Sequence, residues 1–393
     1  MFRFYEASIF FNAFALKVGL SRSHRNNNFL TFEKKIIVQQ IKIHKAFNLD
    51  GNIFETTEKL LDFVRDNTPE HYNFLLDLFD KKDYIIAKTS GSTGKPKEIK
   101  ILKKYLINSA KKTIDFFNLQ PNTSALLNLS SDFIAGKMMW VRAIIGGWQL
   151  DVVSPENKAI KKKLQQNNYD FGAMVPLQVD ANIENIHKIE KLIIGGGVVS
   201  ENLQNKIYNL PNEIFATYGM TETVTHIAVK PLNKKAIYNF YSTTDFIGFY
   251  RVLPQIKIDC DKRNCLVITA TCISENPVIT NDIVEIKDEK HFRWLGRYDN
   301  IINSGGIKLM PEEIEKKLAP HIKQKFFIAS IPDEKLGEKV ILVVEGNNIP
   351  TIDFTSVLKK YEIPRLIFKT DKMKLTSTGK INRKKILEKL SLP

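Results

Sequence analysis

Long apolar runs are missing from this chain of 393 residues. None approaches the ~18 residues that a membrane-spanning helix requires, which argues against stable membrane insertion. Cysteine is scarce as well, with only Cys260, Cys265 and Cys272 present. No second His/Cys pair accompanies Cys260 and Cys265 to complete a four-ligand metal set. These two are expected on paired strands flanking the turn Asp261-Lys262-Arg263-Asn264. An odd cysteine count without a clear signal peptide points to a reducing cytoplasm. Acidic residues are in deficit, 43 against 58 basic ones, for a formal net charge of +15. The excess lies at the ends: residues 1–45 hold 8 basic and 2 acidic side chains, and residues 299–393 hold 18 and 12. No nucleic-acid-binding motif accompanies this charge, and the basic residues are dispersed among Ile and Leu, so nucleic acid is not expected as a partner. A solvated lysine surface, or a small polyanionic substrate near the C-terminal part, is a sufficient reason for it.

What the chain does have is a loop of small and hydroxylated residues. Residues 89–97 read Thr-Ser-Gly-Ser-Thr-Gly-Lys-Pro-Lys. The preceding Asp83–Lys88 has the character of a short buried strand, and the segment Ile99–Phe117 carries helical apolar spacing. The loop is therefore expected to join a strand to a helix. Gly91 and Gly94 permit positive φ, so backbone N–H groups can converge on an anion. Thr89, Ser90, Ser92 and Thr93 add hydroxyls, and Lys95 and Lys97 add charge. This is the chemistry of a nucleotide-phosphate site, although a solvated Ser/Gly linker has the same composition. It is not a Walker A loop, because Pro96 follows Lys95 where Ser or Thr is needed.

Length suggests two or three domains. Helical spacing is read over 57–67, 69–79, 136–145 and 157–166. Short strand-like runs are read over 126–129, 149–153, 171–175 and 191–194. Ser200 is placed as the N-cap of a helix over 201–208. Alternating strands and helices imply an α/β fold with a largely parallel sheet, while 250–272 reads as an antiparallel stretch. Pro311 with Glu312 and Glu313 opens a helix. Strands over 326–331 and 340–345 and a helix over 354–361 follow. The expected organisation is a poorly ordered extension over 1–35, a large α/β domain over 36–298 and a small mobile α+β domain over 299–393.

Four further stretches stand out: Thr217-Tyr-Gly-Met-Thr-Glu-Thr223, Val278-Ile-Thr-Asn-Asp-Ile283, Gly296–Lys308 with Pro311–Glu315, and Thr376-Ser-Thr-Gly-Lys-Ile-Asn-Arg383. With the 89–97 loop they are five collinear motifs, and they resemble those of the acyl-adenylate-forming superfamily of acyl-CoA synthetases, peptide-synthetase adenylation domains and luciferases. The chain departs from the family pattern in carrying Glu98 and Asn281 where glycine is usual. It is also short before the phosphate loop, in which it resembles the compact o-succinylbenzoate–CoA ligases of menaquinone biosynthesis. Stretches 43–51 and 134–142 add less specific likeness to that group.

The resemblance implies an ATP- and Mg²⁺-dependent enzyme that activates a carboxylic acid as its adenylate and passes it to the thiol of coenzyme A. Another aryl or fatty acid, or a carrier-protein thiol, is the alternative. Lys380 would catalyse the first step, with Thr221 on the α-phosphate and Glu222 holding the metal. Thr89–Lys95 and Lys97 would meet the triphosphate. Gly195, Gly196 and Gly197 would pass under adenine, although a tight turn explains them equally, and Tyr218 and Gly219 would lie beside it. Asp282 would accept from the ribose hydroxyls with Arg297 nearby. Asp299 would be the hinge, and Gly305 and Gly306 would let backbone approach pantetheine. Phe133, Lys137, Arg142 and Gln178 are the candidates for the acid. Lys137 and Arg142 together would suit a second carboxylate, although each alone reads slightly better as a helix-surface cation. Many relatives have a His near Phe133, and this chain has none.

Overall fold

The computed structural model describes residues 41–88, 97–376 and 381–390. The expected extension over 1–35 therefore lies outside the described residues. So do Thr89, Ser90, Gly91, Ser92, Thr93, Gly94, Lys95 and Lys380.

One mixed sheet organises the larger part. Its parallel half contains Gln149–Val152, Ser124–Leu127, Tyr169–Met174, Ile189–Ile194 and Glu213–Gly219. These strands are runs such as Leu192-Ile-Ile194, which are apolar on both faces because helices cover both sides. Here His226–Pro231 pairs antiparallel with Glu213–Gly219. From that point the sheet continues antiparallel through Tyr250–Val252, His291–Arg297, Val278–Asp288, Cys265–Thr269 and Lys257–Cys260. The expected parallel sheet and the expected antiparallel stretch are thus two halves of one sheet, joined at the 219–226 hairpin. Cys260 and Cys265 end the two strands of a hairpin as expected, with Asp261 N–H donating to the Cys265 carbonyl at 2.9 Å.

The segment after the Ser/Gly-rich loop corrects one expectation. Residues Glu98–Leu102 form a strand, antiparallel to Tyr84–Lys88, and the helix begins only at Lys103. Glu98-Ile-Lys-Ile101 alternates polar and apolar, a period-2 signal that the helical spacing beyond it obscured. The loop 89–97 therefore connects two strands of a hairpin, with Lys88 paired to Glu98. The helix Lys103–Phe117 is tied down at its start, where the buried Lys103 Nζ donates to Asp80 Oδ1 at 2.7 Å. The helix expected over 354–361 is shorter, Phe354–Val357.

Between Arg297 and Ile302 the chain leaves the large sheet for a second one. This contains Ile302–Ser304, Ile307–Leu309, Phe326–Asp333, Gly337–Glu345 and Leu366–Thr370. The helix Pro311–Leu318 packs on it through Ile314 and Leu318. Among the described residues no helix is long and apolar enough to cross a membrane.

Aromatic rings fill the core of the larger part. Phe117 lies 5.8 Å from Phe171 and 5.3 Å from Phe215, and Trp148 lies 5.4 Å from Phe171. Phe171 is fully buried, so Phe171→Ala leaves a cavity between Phe117 and Trp148. It is expected to cost about 3–5 kcal/mol, read as a lowered urea midpoint of unfolding.

Candidate active site

The site forms where the parallel strands end and the sheet changes sense, the position at which open α/β sheets offer a crevice. Strand Glu213–Gly219 delivers Tyr218 and Gly219 to this edge. A single 3-10 turn, Thr221–Thr223, follows, and the chain then returns as His226–Pro231. Gly219 is required by close approach, since a Cβ there would overlap the Thr225 carbonyl. The turn is held from inside: Thr223 Oγ1 accepts from Met220 N–H at 3.0 Å and donates to the Thr225 carbonyl at 2.7 Å. Val224 closes it at φ 65°, a strained conformation for a β-branched residue. Glu222 is exposed on this turn, and Thr221 is half-buried beside it.

Asp282 anchors one side. Its carboxylate accepts from Tyr218 Oη at 2.6 Å and Trp294 Nε1 at 3.2 Å, and lies 3.5 Å from Arg297 Nη1. Register explains the assembly: Asp282 pairs with Arg297 across their hairpin. Burial and the Asp282 charge raise the Tyr218 phenol well above its ordinary pKa, so Tyr218 stays a donor. The Tyr218 ring is wedged edge-on between Phe292 at 5.0 Å and Tyr250 at 5.8 Å. Its visible task is to hold Asp282.

Arg142 anchors the other side. It sits in helix Ile134–Gly146 with 1% of its surface exposed. Nη2 donates to Thr225 Oγ1 at 3.4 Å and Nη1 to Met139 Sδ at 3.8 Å, while Nε finds no partner. Among the described residues no carboxylate pairs with it. Burial alone pulls its pKa down to about 9. His226, one residue beyond Thr225, is buried within 3.5 Å of Thr113 Oγ1. Burial, and then the Arg142 charge, push its pKa well below the ordinary value, so the ring is neutral. The same turn thus links a satisfied carboxylate to an unsatisfied guanidinium.

Several expectations change. Lys137 and Arg142 are not helix-surface cations; both are buried. They do not lie on the same face of the helix either. Five residues apart, they lie about 140° around the helix, and Lys137 Nζ sits over the Phe74 ring at 4.6 Å. Burial lowers the Lys137 pKa. Gln178 makes four bonds within the protein: it donates to the Asn128 and Pro155 carbonyls and accepts from Asn128 Nδ2 and Val175 N–H. These bonds fix its side chain between helix 176–181 and the 128–155 region. Phe133 stands at the N-cap position of the Arg142 helix and makes no side-chain capping bond. Gly195–Gly197 follow strand Ile189–Ile194, and a Cβ on Gly195 would come 2.6 Å from Thr217 Oγ1. Gly305 and Gly306 form a two-residue hairpin turn with φ 58° and 80°, which accounts for both glycines. Thr225, His226 and Trp294 are additions to the site. A lone His in an apolar strand reads as core, and Trp294 is brought to Asp282 only by hairpin register.

The chain matches known proteins along most of its length. The family model described as AMP-binding enzyme matches residues 61–252. A 2-succinylbenzoate–CoA ligase of Lactococcus lactis subsp. lactis is 25% identical over 95% of this chain and 86% of its own. An acyl-CoA synthetase (AMP-forming)/AMP-acid ligase II-like protein of Dyadobacter fermentans is 34% identical, covers 86% of this chain and 99% of its own, and superposes with a TM-score of 0.56. The o-succinylbenzoate coenzyme A synthetase of Bacillus subtilis, solved with ATP and magnesium, shares the fold at a TM-score of 0.66. It is 17% identical over 84% of this chain and 82% of its own.

Two stability measurements check the charges. An unpaired buried guanidinium costs more than it returns. Arg142→Met is therefore expected to raise the unfolding free energy of the ligand-free protein by about 1–4 kcal/mol. Below pH ~6.5 the unfolded chain protonates His226 while the folded ring stays neutral, so stability falls as pH falls, by up to ~1.4 kcal/mol per unit. His226→Gln removes this term. Its urea-unfolding curves are expected to lose less stability than the parent between about pH 7 and pH 5.

Proposed function

The chain belongs to the family of AMP-binding enzymes, and on that premise we propose that it is an acid–CoA ligase acting on a dicarboxylic aromatic acid, o-succinylbenzoate. The observation that carries the choice of acid is Arg142, a buried guanidinium with an unpartnered Nε and, among the described residues, no carboxylate beside it. Such a group suits a substrate that brings its own anion. The L. lactis and B. subtilis relatives are named for that acid, as 2-succinylbenzoate and as its synonym o-succinylbenzoate.

The reaction has two steps. The acid's reacting carboxylate attacks the α-phosphorus of ATP, the bond to the β-phosphate oxygen breaks, and pyrophosphate leaves. The thiol of coenzyme A then attacks the acyl carbon of the adenylate, AMP departs, and the thiol proton is lost to solvent. The first step brings two anions together, so it depends on fixed donors and cations. Asp282, held by Tyr218, Trp294 and Arg297, would accept from the ribose hydroxyls and orient the nucleotide. Thr221 and Glu222 lie on the turn between this anchor and Arg142. Glu222 would hold Mg²⁺. The described residues contain no cluster of three acidic, His or Cys ligands. That fits an ion which takes most of its ligands from phosphate and water. The metal when bound supplies neutralisation of phosphate charge. Lys97, at the end of the Ser/Gly-rich loop, would face the triphosphate, and Lys380 would bridge the carboxylate and α-phosphate.

The test is pyrophosphate release with ATP, Mg²⁺ and coenzyme A over a panel of acids, with the thioester mass read directly. A CoA thioester of o-succinylbenzoate, lost in Lys380→Ala, is expected. Turnover only with monocarboxylic acids would keep the chemistry and overturn the acid. No pyrophosphate with any acid would overturn the ligase reading.

A further inference from the structure

Resting on the ligase reading for its functional consequence, we propose that Asn281 and Arg263 form a latch on the crossover between the two sheets, and that this latch sets the balance between the two half-reactions. The crossover is Tyr298-Asp299-Asn300, a single 3-10 turn. Each of its residues is held. Tyr298 lies under the Arg263 guanidinium, 5.1 Å from its ring centre. Asp299 accepts from Asn281 Nδ2 at 3.0 and 3.3 Å and from Arg297 Nη2 at 2.7 Å. Asn300 donates to Glu312 Oε1 at 2.5 Å. Tyr298 is thus fastened to a hairpin turn and Asp299 to strands of the large sheet, and Asn300 to the helix Pro311–Leu318 that packs on the small one. The change of side-chain partners from the large sheet to this helix falls between Asp299 and Asn300.

Asn281 is the middle of a chain of contacts that glycine at this position would abolish. Its Oδ1 accepts from Arg263 Nη1 at 2.8 Å while its Nδ2 reaches Asp299. Arg263 is aimed by Asp261, whose Oδ2 accepts from Nε at 2.8 Å, and by the Thr280 carbonyl at 3.1 Å. The turn Asp261–Asn264 of one hairpin therefore grips the crossover through the Asn281 amide and over the Tyr298 ring. The next residue, Asp282, belongs to the Tyr218–Trp294–Arg297 set, and Arg297 contacts both Asp282 and Asp299. The orientation of the small sheet is thereby tied to the carboxylate that would orient the nucleotide. Motion of the small part between the two half-reactions would have to strain or break this latch.

Asn281→Gly is the direct test, with Arg263→Ala as the second variant. Amide exchange at Ile301, whose N–H closes the crossover turn on the Tyr298 carbonyl at 3.2 Å, reads the latch without any substrate. About a fivefold faster exchange is expected in either variant, the equilibrium effect of one hydrogen bond of ordinary net strength. The double variant should be faster than Asn281→Gly alone but by less than the product of the two single effects, because Arg263 reaches the crossover both through Asn281 and over the Tyr298 ring. The ratio of the thioester-forming to the adenylate-forming rate should shift by a similar factor in both, with one half-reaction unchanged. Unchanged exchange at Ile301, or additive effects in the double variant, would overturn the latch. Equal changes in both half-reactions, with faster exchange, would overturn its control of the balance. Faster exchange in a protein that forms no adenylate with any acid would leave the latch standing and overturn the ligase reading instead.

Discussion

One turn holds the site together. The hairpin from Glu213–Gly219 to His226–Pro231 is where the large sheet passes from parallel to antiparallel. It places Tyr218 against Asp282 on one side and Thr225 against Arg142 on the other. The turn can be this tight only because Gly219 has no side chain, Thr223 bonds across it and Val224 accepts a strained backbone. Strain of that kind, on the order of 1–3 kcal/mol, persists where the surroundings over-determine it. Val224 is itself almost fully buried, and the buried Ile227 that follows anchors the returning strand.

The two charges on either side of the turn are in opposite states. Asp282 has two donors and a guanidinium around it. Arg142 has a hydroxyl, a thioether and, among the described residues, no anion. A protein optimised for stability alone would carry an apolar residue in place of Arg142. Its retention of an unsatisfied buried cation beside neutral His226 makes sense if a ligand completes the site. The same preference for held but incomplete contacts recurs at the crossover, where exposed hydrogen bonds rather than a packed core fasten Asp299.

Much of this was legible in the sequence, and the limits have physical reasons. Collinear motifs pointed to Tyr218, Thr221, Glu222, Asp282, Arg297 and Asp299, and the structure brings Tyr218, Asp282, Arg297 and Asp299 into one bonded network. Local signals were also good guides, such as the Ser200 cap, whose Oγ accepts from Leu203 N–H. What stayed hidden depends on register and burial. The strand Glu98–Leu102 is too short for its alternation to outweigh the helix that follows it. Lys137 and Arg142 are charged residues in a helix, and only the packing around Ile134–Gly146 shows that both are inside. Gln178 has the chemistry of a ligand contact, but four protein partners surround it. Asn281 registered only as a missing glycine, because its partners Arg263 and Asp299 are each 18 residues away in sequence.

In the proposed function Arg142 awaits the second carboxylate of the substrate. Titration of wild type and Arg142→Met with two non-hydrolysable acyl-adenylate analogues, one carrying that carboxylate and one lacking it, completes a double-mutant cycle. A coupling of about 2 kcal/mol or more, with the analogue preference lost in Arg142→Met, is the predicted result. An undiminished preference in Arg142→Met would show that the carboxylate is met elsewhere and would contradict it.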